Sequence, residues 1–381
     1  MRDDNYTMEM RTFRRKVGEV DSPFDYIQQL VAGGKLNGEQ LLQMLADDHN
    51  LLDHTHVRQC VDAGLLTGDD LEKAGIDQRF TEMMGEEAQD VLPQVGRIDK
   101  IDADCTEVYF WGIPTSGKTC ALGTIIKATR SGEVCRSMRV KNHSQGLLYF
   151  QKLRQIFEDD YCILPGRTTV DTNFAIETVL VDNNYKEHNV TLVDMAGELF
   201  CSIVWRDNGS MNLFKEKHQE ALEEFEKILV SNSSRNPKYH FFILEYCKND
   251  RRDDDFDQNT YLESGLSHLI EKGVLDKKED GVFLLVTKTD LAVRDAAEQG
   301  VDVNEYLINF LNRRYRNFIA LLEDHCKKTG ICGGKLPRPI PFGIGDVCFQ
   351  HLCRLDTTRA NRIVEILLDP PRSKKDWWKF F

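Results

Sequence analysis

The chain has 381 residues, with 49 basic side chains against 62 acidic ones and a net charge of −13. That length holds one full α/β domain and something smaller beside it, and the acidic balance argues against a broad nucleic-acid surface. No apolar run approaches the roughly 18 residues of a membrane-spanning helix, and Met1 to Arg15 is polar, without the apolar core of a secretory signal. Eleven cysteines, an odd number without framework spacing, fit a reducing compartment, so a cytoplasmic location is expected.

Residues 1–21 are polar and partly basic and read as a flexible terminus. An internal repeat with an offset of 30 follows: Ile27, Gln29, Val31, Gly34, Leu36, Gly38 and Leu41 recur as Val57, Gln59, Val61, Gly64, Leu66, Gly68 and Leu71. Each copy predicts a helix ending at glycine, a short turn and a second helix. Asn37 with Gln40, and Thr67 with Asp70, have the spacing of an N-cap and its third-residue partner. Residues 22–96 therefore form an expected all-α module of two hairpins, closed by a linker at Leu92-Pro-Gln-Val-Gly96. Residues 1–100 hold 11 basic and 20 acidic side chains, a net −9, so most of the acidity lies here. A small acidic module with no catalytic constellation suits binding of a protein partner. His49, His54 and His56 stand among aspartates, but one His-x-His without a second half reads as a solvated turn rather than a metal site.

From residue 97 to 371 strands and helices alternate, which predicts an α/β domain with a mostly parallel sheet and helices on both faces. The apolar run Val108 to Trp111 is a strand, and Gly112-Ile-Pro-Thr-Ser-Gly-Lys118-Thr119 fits G-x-x-x-x-G-K-[ST] ahead of a helix. This is a phosphate-binding loop in its required context. Backbone N–H groups from Gly112 through Cys120, with Pro114, Thr115, Ser116 and Gly117 between them, would surround a polyphosphate. Lys118 would reach its β- and γ-phosphates, and Thr119 would ligate Mg²⁺. Ser144 to Phe157 is an amphipathic helix, Leu164 to Thr172 a loop, Phe174–Val181 and Val190–Val193 strands. Helices are expected over Leu213–Leu229, Thr260–Lys272, Val303–Lys327 and Arg359–Leu368, and strands over His240–Leu244, Val282–Val286 and Pro339–Phe342, the last an edge strand because of its prolines. Residues 372–381, with Lys374-Lys-Asp-Trp-Trp-Lys-Phe-Phe381, make a basic, aromatic tail.

Two further motifs follow strands directly, Asp194-Met-Ala-Gly197-Glu198 and Thr287-Lys288-Thr289-Asp290. With the loop at Gly112–Thr119, these parts occur in the order of the P-loop GTPases of the translation-factor and Ras-like class, which the chain resembles over about residues 103–370. Within that class it looks like the bacterial GTPase domains that carry an extra helix before switch I. The resemblance implies GTP and GDP as ligands, Mg²⁺ as cofactor and GTP hydrolysis as the activity. It implies that Thr119, Asp194 and a switch I threonine hold the metal, with Thr172 the first candidate and Thr169 the second. Gly197 would meet the γ-phosphate, Lys288 would lie along the base, Asp290 would accept two N–H bonds from guanine, and Thr287 replaces the commoner asparagine. A last guanine-contact loop would be Gly343-Ile-Gly345-Asp346.

Two departures bear on catalysis. Glu198 stands where many relatives orient the attacking water with glutamine, and its charge would repel the γ-phosphate. Pro114 supplies no N–H in the loop. Lys118, Glu198 and Thr172 are the catalytic candidates, while Arg167 and Arg206 read as solvated. The expected function is a slow, partner-activated GTPase switch with an N-terminal helical adaptor. A non-hydrolysing nucleotide-bound scaffold is the alternative, with a P-loop ATPase behind it. Cys326, Cys332, Cys348, His351 and Cys353 lack the spacing of a zinc site and read as buried thiols.

Overall fold

The computed structural model describes residues 12–13, 15–20, 22–86, 92–93, 95–166, 172–210, 212–230, 236–246, 256–276 and 280–369. Helices α1 (Pro23–Ala32), α2 (Gly38–Asp47), α3 (His54–Asp62), α4 (Gly68–Lys73) and α5 (Gln78–Met83) come first. Then follow β1 (Thr106–Trp111), α6 (Lys118–Ala128), β2 (Cys135–Val140), α7 (Leu147–Ile156), β3 (Tyr161–Ile163), β4 (Phe174–Asp182), β5 (Glu187–Asp194), α8 (Glu198–Asp207) and α9 (Glu216–Val230). The remainder is β6 (Lys238–Glu245), α10 (Gln258–Glu271), β7 (Gly281–Thr287), α11 (Thr289–Gln299), α12 (Val303–Arg314), α13 (Arg316–Thr329), β8 (Pro339–Pro341), β9 (Gly345–Cys348), β10 (Leu352–Leu355) and α14 (Thr358–Leu368). The chain divides into two compact units.

The smaller unit combines Met1–Gln89 with two short excursions, Asp159–Pro165 and Gly345–Leu355. Its helices begin where the caps place them. Ser22 accepts from the Asp25 amide, Asn37 and Gln40 bond each other's backbones reciprocally, and Thr67 accepts from the Asp70 amide. Gly34 and Gly64 take positive φ after the first helix of each hairpin, which a side chain would resist. The 30-residue repeat is a repeat of core positions: Ile27 and Val57, Leu36 and Leu66, Leu41 and Leu71 are all buried in one apolar core. That core also takes Cys348, Phe349 and Leu352, with Tyr161 and Ile163 packed against it. The excursions pair as an antiparallel sheet of order β3-β10-β9. The unit is therefore not all-α, and 159–165 and 345–355, expected in the α/β domain, belong here.

The larger unit is α/β, built on a seven-stranded sheet of order β2-β4-β5-β1-β6-β7-β8. Strands β5, β1, β6, β7 and β8 run parallel, whereas β4 and β2 pair antiparallel at one side. Strands β6 and β7 are buried at every residue, which is why they read as unbroken apolar runs. Proline-bearing β8 takes the edge, as expected. Leu92 to Gly96 is no free linker at its end, because Gly96 bridges Thr172 and a Cβ there would strike the Phe174 ring at 2.3 Å. The helix expected over Val303–Lys327 breaks at Tyr315 (φ −115, ψ 31). The buried Tyr315 hydroxyl lies 2.7 Å from the Glu245 carbonyl oxygen and 2.6 Å from Gln258 Oε1, its one proton serving either acceptor, and those partners hold the ring out of helical register. Strands β2, β3, β9 and β10 and helices α8 and α11 were not legible in the pattern. Residues 370–381, the aromatic tail included, lie outside the described residues.

Candidate functional site

Strands β5, β1, β6 and β7 are sheet neighbours that all run the same way, so their carboxyl ends share one edge. There β1 ends at Trp111, β5 at Asp194, β6 at Glu245 and β7 at Thr287. Three motifs far apart in the chain thus come to one place, the edge at which open α/β sheets bind ligands.

The Gly112–Thr119 loop folds on its own backbone. Thr115 and Gly117 take φ of +63 and +89, turning the chain sharply before α6. Ser116 Oγ donates to the Ile113 carbonyl at 2.8 Å. A Cβ on Gly112 would lie 2.9 Å from Ser116 Oγ and 3.0 Å from Ile243 Cβ, so glycine is required for the close approach. Lys118, almost wholly buried, lays its ammonium on the Gly112 and Ile113 carbonyls at 3.0 and 2.8 Å. Pro114 is buried, Thr115 is exposed at the tip, and Cys120 is half-buried at the start of α6.

The other motifs dock onto this loop. A Cβ on Gly197 would lie 2.4 Å from both Ile113 C and Pro114 N, so the D-x-x-G glycine rests directly on the loop's peptide. Thr287 Oγ1 donates to the Ser116 carbonyl at 2.7 Å, and a Cβ on Gly117 would lie 3.6 Å from Thr287 Cγ2. Lys288 adopts a left-handed φ of +57 and pairs with the buried Glu245 carboxylate. Asp290 stands exposed in the first turn of α11.

Thr119 Oγ1 lies 3.5 Å from Asp194 Oδ2. Asp194 is buried, which raises its carboxyl above the ordinary aspartate range, while Tyr149, Lys118 and Thr119 act to lower it. The Tyr149 hydroxyl donates to Asp194 Oδ2 at 2.6 Å. A threonine hydroxyl and a carboxylate facing each other are hard oxygen donors and suit Mg²⁺. Thr172 is buried and lies two residues before Phe174, the register partner of Asp194. Between them Asn173 Oδ1 accepts from the Ala196 amide at 3.0 Å and ties this stretch to D-x-x-G. Thr169 and Arg167 lie outside the described residues.

Glu198 opens α8, and its Oε2 lies 4.0 Å from His218 Nε2, both side chains being largely buried. The Lys215 amide donates to His218 Nδ1 at 2.9 Å, so a neutral ring carries its proton on the Nε2 that faces Glu198. Arg206 pairs with Asp207. Gly345 opens β9 in the smaller unit, and the neighbouring Asp346 carboxylate pairs with Arg354 there. Gly345 is therefore placed as a strand residue of that unit, not in a loop of the sheet unit.

The cysteines and histidine of residues 326–353 divide, Cys326 and Cys332 in the sheet unit and Cys348, His351 and Cys353 in the other. All four cysteines are buried free thiols, and burial pushes Cys348 up to about 12. Among the described residues no group of three or more His, Cys, Asp or Glu side chains is placed to hold a metal. His56 pairs with Asp53, and His54 meets the edge of the His351 ring. Tyr149, Asn173, Glu245 and His218 were not singled out from the sequence. Tyr149 lies within the expected amphipathic helix but outside its apolar face, and none of the four belongs to a motif. No known family model matches the chain, and no curated protein matches it.

Proposed function

We propose that this chain binds guanine nucleotide with Mg²⁺ at the Gly112–Thr119 loop and hydrolyses GTP slowly, as a switch whose helical unit engages a protein partner. The observation that carries this reading is the convergence just described. Gly197 packs on the Ile113–Pro114 peptide and Thr287 bonds the Ser116 carbonyl, so the two other motifs meet around the Gly112–Thr119 loop. In this reading Lys118 exchanges its loop carbonyls for phosphate oxygens, and the N-terminus of α6 adds its positive dipole end. Thr119, Asp194 and Thr172 would hold Mg²⁺, which supplies charge neutralisation on the phosphates. The Gly197 amide would meet the γ-phosphate, and Asp290 would take the two donors of the guanine edge. Slow hydrolysis follows from Pro114, which offers no N–H, and from the negative charge of Glu198.

The test is competition of GTP, ATP and XTP against a fluorescent guanine nucleotide, on wild type and Asp290→Asn. Two charge-assisted bonds at about 1.5–3 kcal/mol each imply roughly a thousandfold preference for GTP over ATP. The variant should lose GTP affinity and gain XTP affinity, because the 2-oxo group of xanthine accepts where guanine donates. Equal binding of ATP and GTP by wild type would leave a generic phosphate site. Tight GTP binding with no phosphate released in a single-turnover assay would favour the scaffold reading.

A further inference from the structure

Helix α7 lies between the phosphate-binding loop and the stretch that ends at Thr172, and no motif accounts for it. It is fastened firmly to the sheet. Ser144 Oγ and the Gln145 amide both donate to the buried Glu177 carboxylate of β4, and Gln145 Nε2 donates to the same carboxylate at 2.9 Å. A Cβ on Gly146 would lie 2.6 Å from the Ala175 carbonyl oxygen, so the start of α7 sits directly on β4. One turn on, Tyr149 is fully buried, and its ring stacks on Phe174 at a centroid distance of 4.1 Å and an interplanar angle of 10°. The hydroxyl of that clamped ring reaches Asp194 Oδ2 at 2.6 Å, closer than Thr119 Oγ1 at 3.5 Å.

A buried carboxylate with two oxygens needs something to fix which oxygen faces which way. The peptide after Asp194 is fixed by Asn173, but that bond acts on the backbone of Ala196. Tyr149 acts on the carboxylate itself, through an aromatic ring with little rotational freedom. It engages Oδ2, the oxygen that also faces Thr119 Oγ1, and so fixes the rotation of the whole carboxylate against the threonine. Resting on the Mg²⁺ site proposed above, we infer that Tyr149 is the positioning residue that orients Asp194 for the metal, and that its stacking on Phe174 links this orientation to the Thr172–Phe174 stretch. Hydrogen-bond partners of metal-binding carboxylates commonly matter to affinity by 10- to 100-fold. A tyrosine merely satisfied in a core would have no such effect.

The variant Tyr149→Phe keeps the ring and its stacking and removes only the hydroxyl. Release of fluorescent GDP is measured from wild type and variant over a MgCl₂ titration that begins in EDTA. The expected result is a Mg²⁺ concentration for half-suppressed release raised about tenfold, with the EDTA release rate unchanged. A general loosening of the fold would instead speed release equally at every Mg²⁺ concentration, and that outcome, like an unshifted midpoint, overturns the inference. Phe174→Leu removes the stacking surface and should shift the midpoint the same way by a smaller factor. An unchanged midpoint in this variant would remove the link to the Thr172–Phe174 stretch. Wild type that holds GDP but ignores Mg²⁺ overturns the metal site and Tyr149's role together. Wild type that holds no GDP overturns the nucleotide reading beneath both.

Discussion

Gly197→Ala is the sharpest probe of how the site is assembled. The backbone at Gly197 has φ −64 and ψ −25, an ordinary helical conformation that alanine adopts without strain. Any effect is therefore one of space. The added Cβ would lie 2.4 Å from Ile113 C, 2.4 Å from Pro114 N and 2.7 Å from Ile113 O. These are backbone atoms of the loop and cannot swing aside as a side chain can. Ordinary contact begins near 3.4 Å, so relief requires about 1 Å of separation between the loop and the start of α8. Overpacking of this kind costs about 1–3 kcal/mol, a fall in melting temperature of about 2–4 °C per kcal/mol for a domain of this size. Displacing the loop by about 1 Å moves the backbone that would cradle the phosphates, so a measurable loss of fluorescent-GDP affinity is expected. Gly166→Ala is the control, since nothing lies within 4 Å of its added Cβ. Wild-type melting and affinity in Gly197→Ala would refute the contact between D-x-x-G and the loop.

Two further outcomes follow from the structure. His240 is fully buried, accepts from Trp111 Nε1 at 2.9 Å, and is pushed down to about 3 by burial first and Lys238 second. Its unfolded pKa is near 6.5, so between about 6.5 and 3 the unfolded chain binds the extra proton and stability falls as pH falls. The slope should be about 1.4 kcal/mol per pH unit from this group, and His240→Gln should flatten the acid limb of a melting-temperature profile; an unaltered limb would sink the assignment. Deletion of residues 1–94 removes the helices that bury Phe349 and Leu352, both at 0% exposure. The truncated chain should bind a hydrophobic dye and aggregate on concentration, and a monomeric, dye-negative product would show that β3, β9 and β10 need no cover.

The motifs at Gly112–Thr119, Asp194–Glu198 and Thr287–Asp290 were legible because their residue types answer to local requirements, a sharp turn or a strand end. The repeat was legible because both copies bury the same positions. What could not be read were pairings across long separations. Strand β3 meets β10 about 190 residues later, Cys162 opposite Cys353, and three or four residues of pattern cannot specify so distant a partner. For the same reason Gly345 read as part of a guanine-contact loop while it is a strand residue of the other unit. Tyr315 broke a helix that periodicity would have continued, because the polar contacts of its buried hydroxyl outweigh local propensity there. Tyr149 carried no signal in the sequence, since only its acceptor, 45 residues away, reveals it.

The three-piece make-up of the smaller unit sets an order of events during synthesis. Its hairpins are complete once residue 89 has left the ribosome, yet Phe349 and Leu352 belong to the same core and are encoded far downstream. The interval from 89 to 345 is 256 residues. At about 5–20 residues per second that is roughly 13–50 s, during which the hairpins wait with part of their apolar surface uncovered. The motifs of the proposed nucleotide site, ending at Asp290, are all translated inside that interval. The first segment to emerge is thus finished only after the sheet it brackets, so a nascent chain stalled before residue 345 carries every motif of the proposed nucleotide site beside an unfinished helical unit.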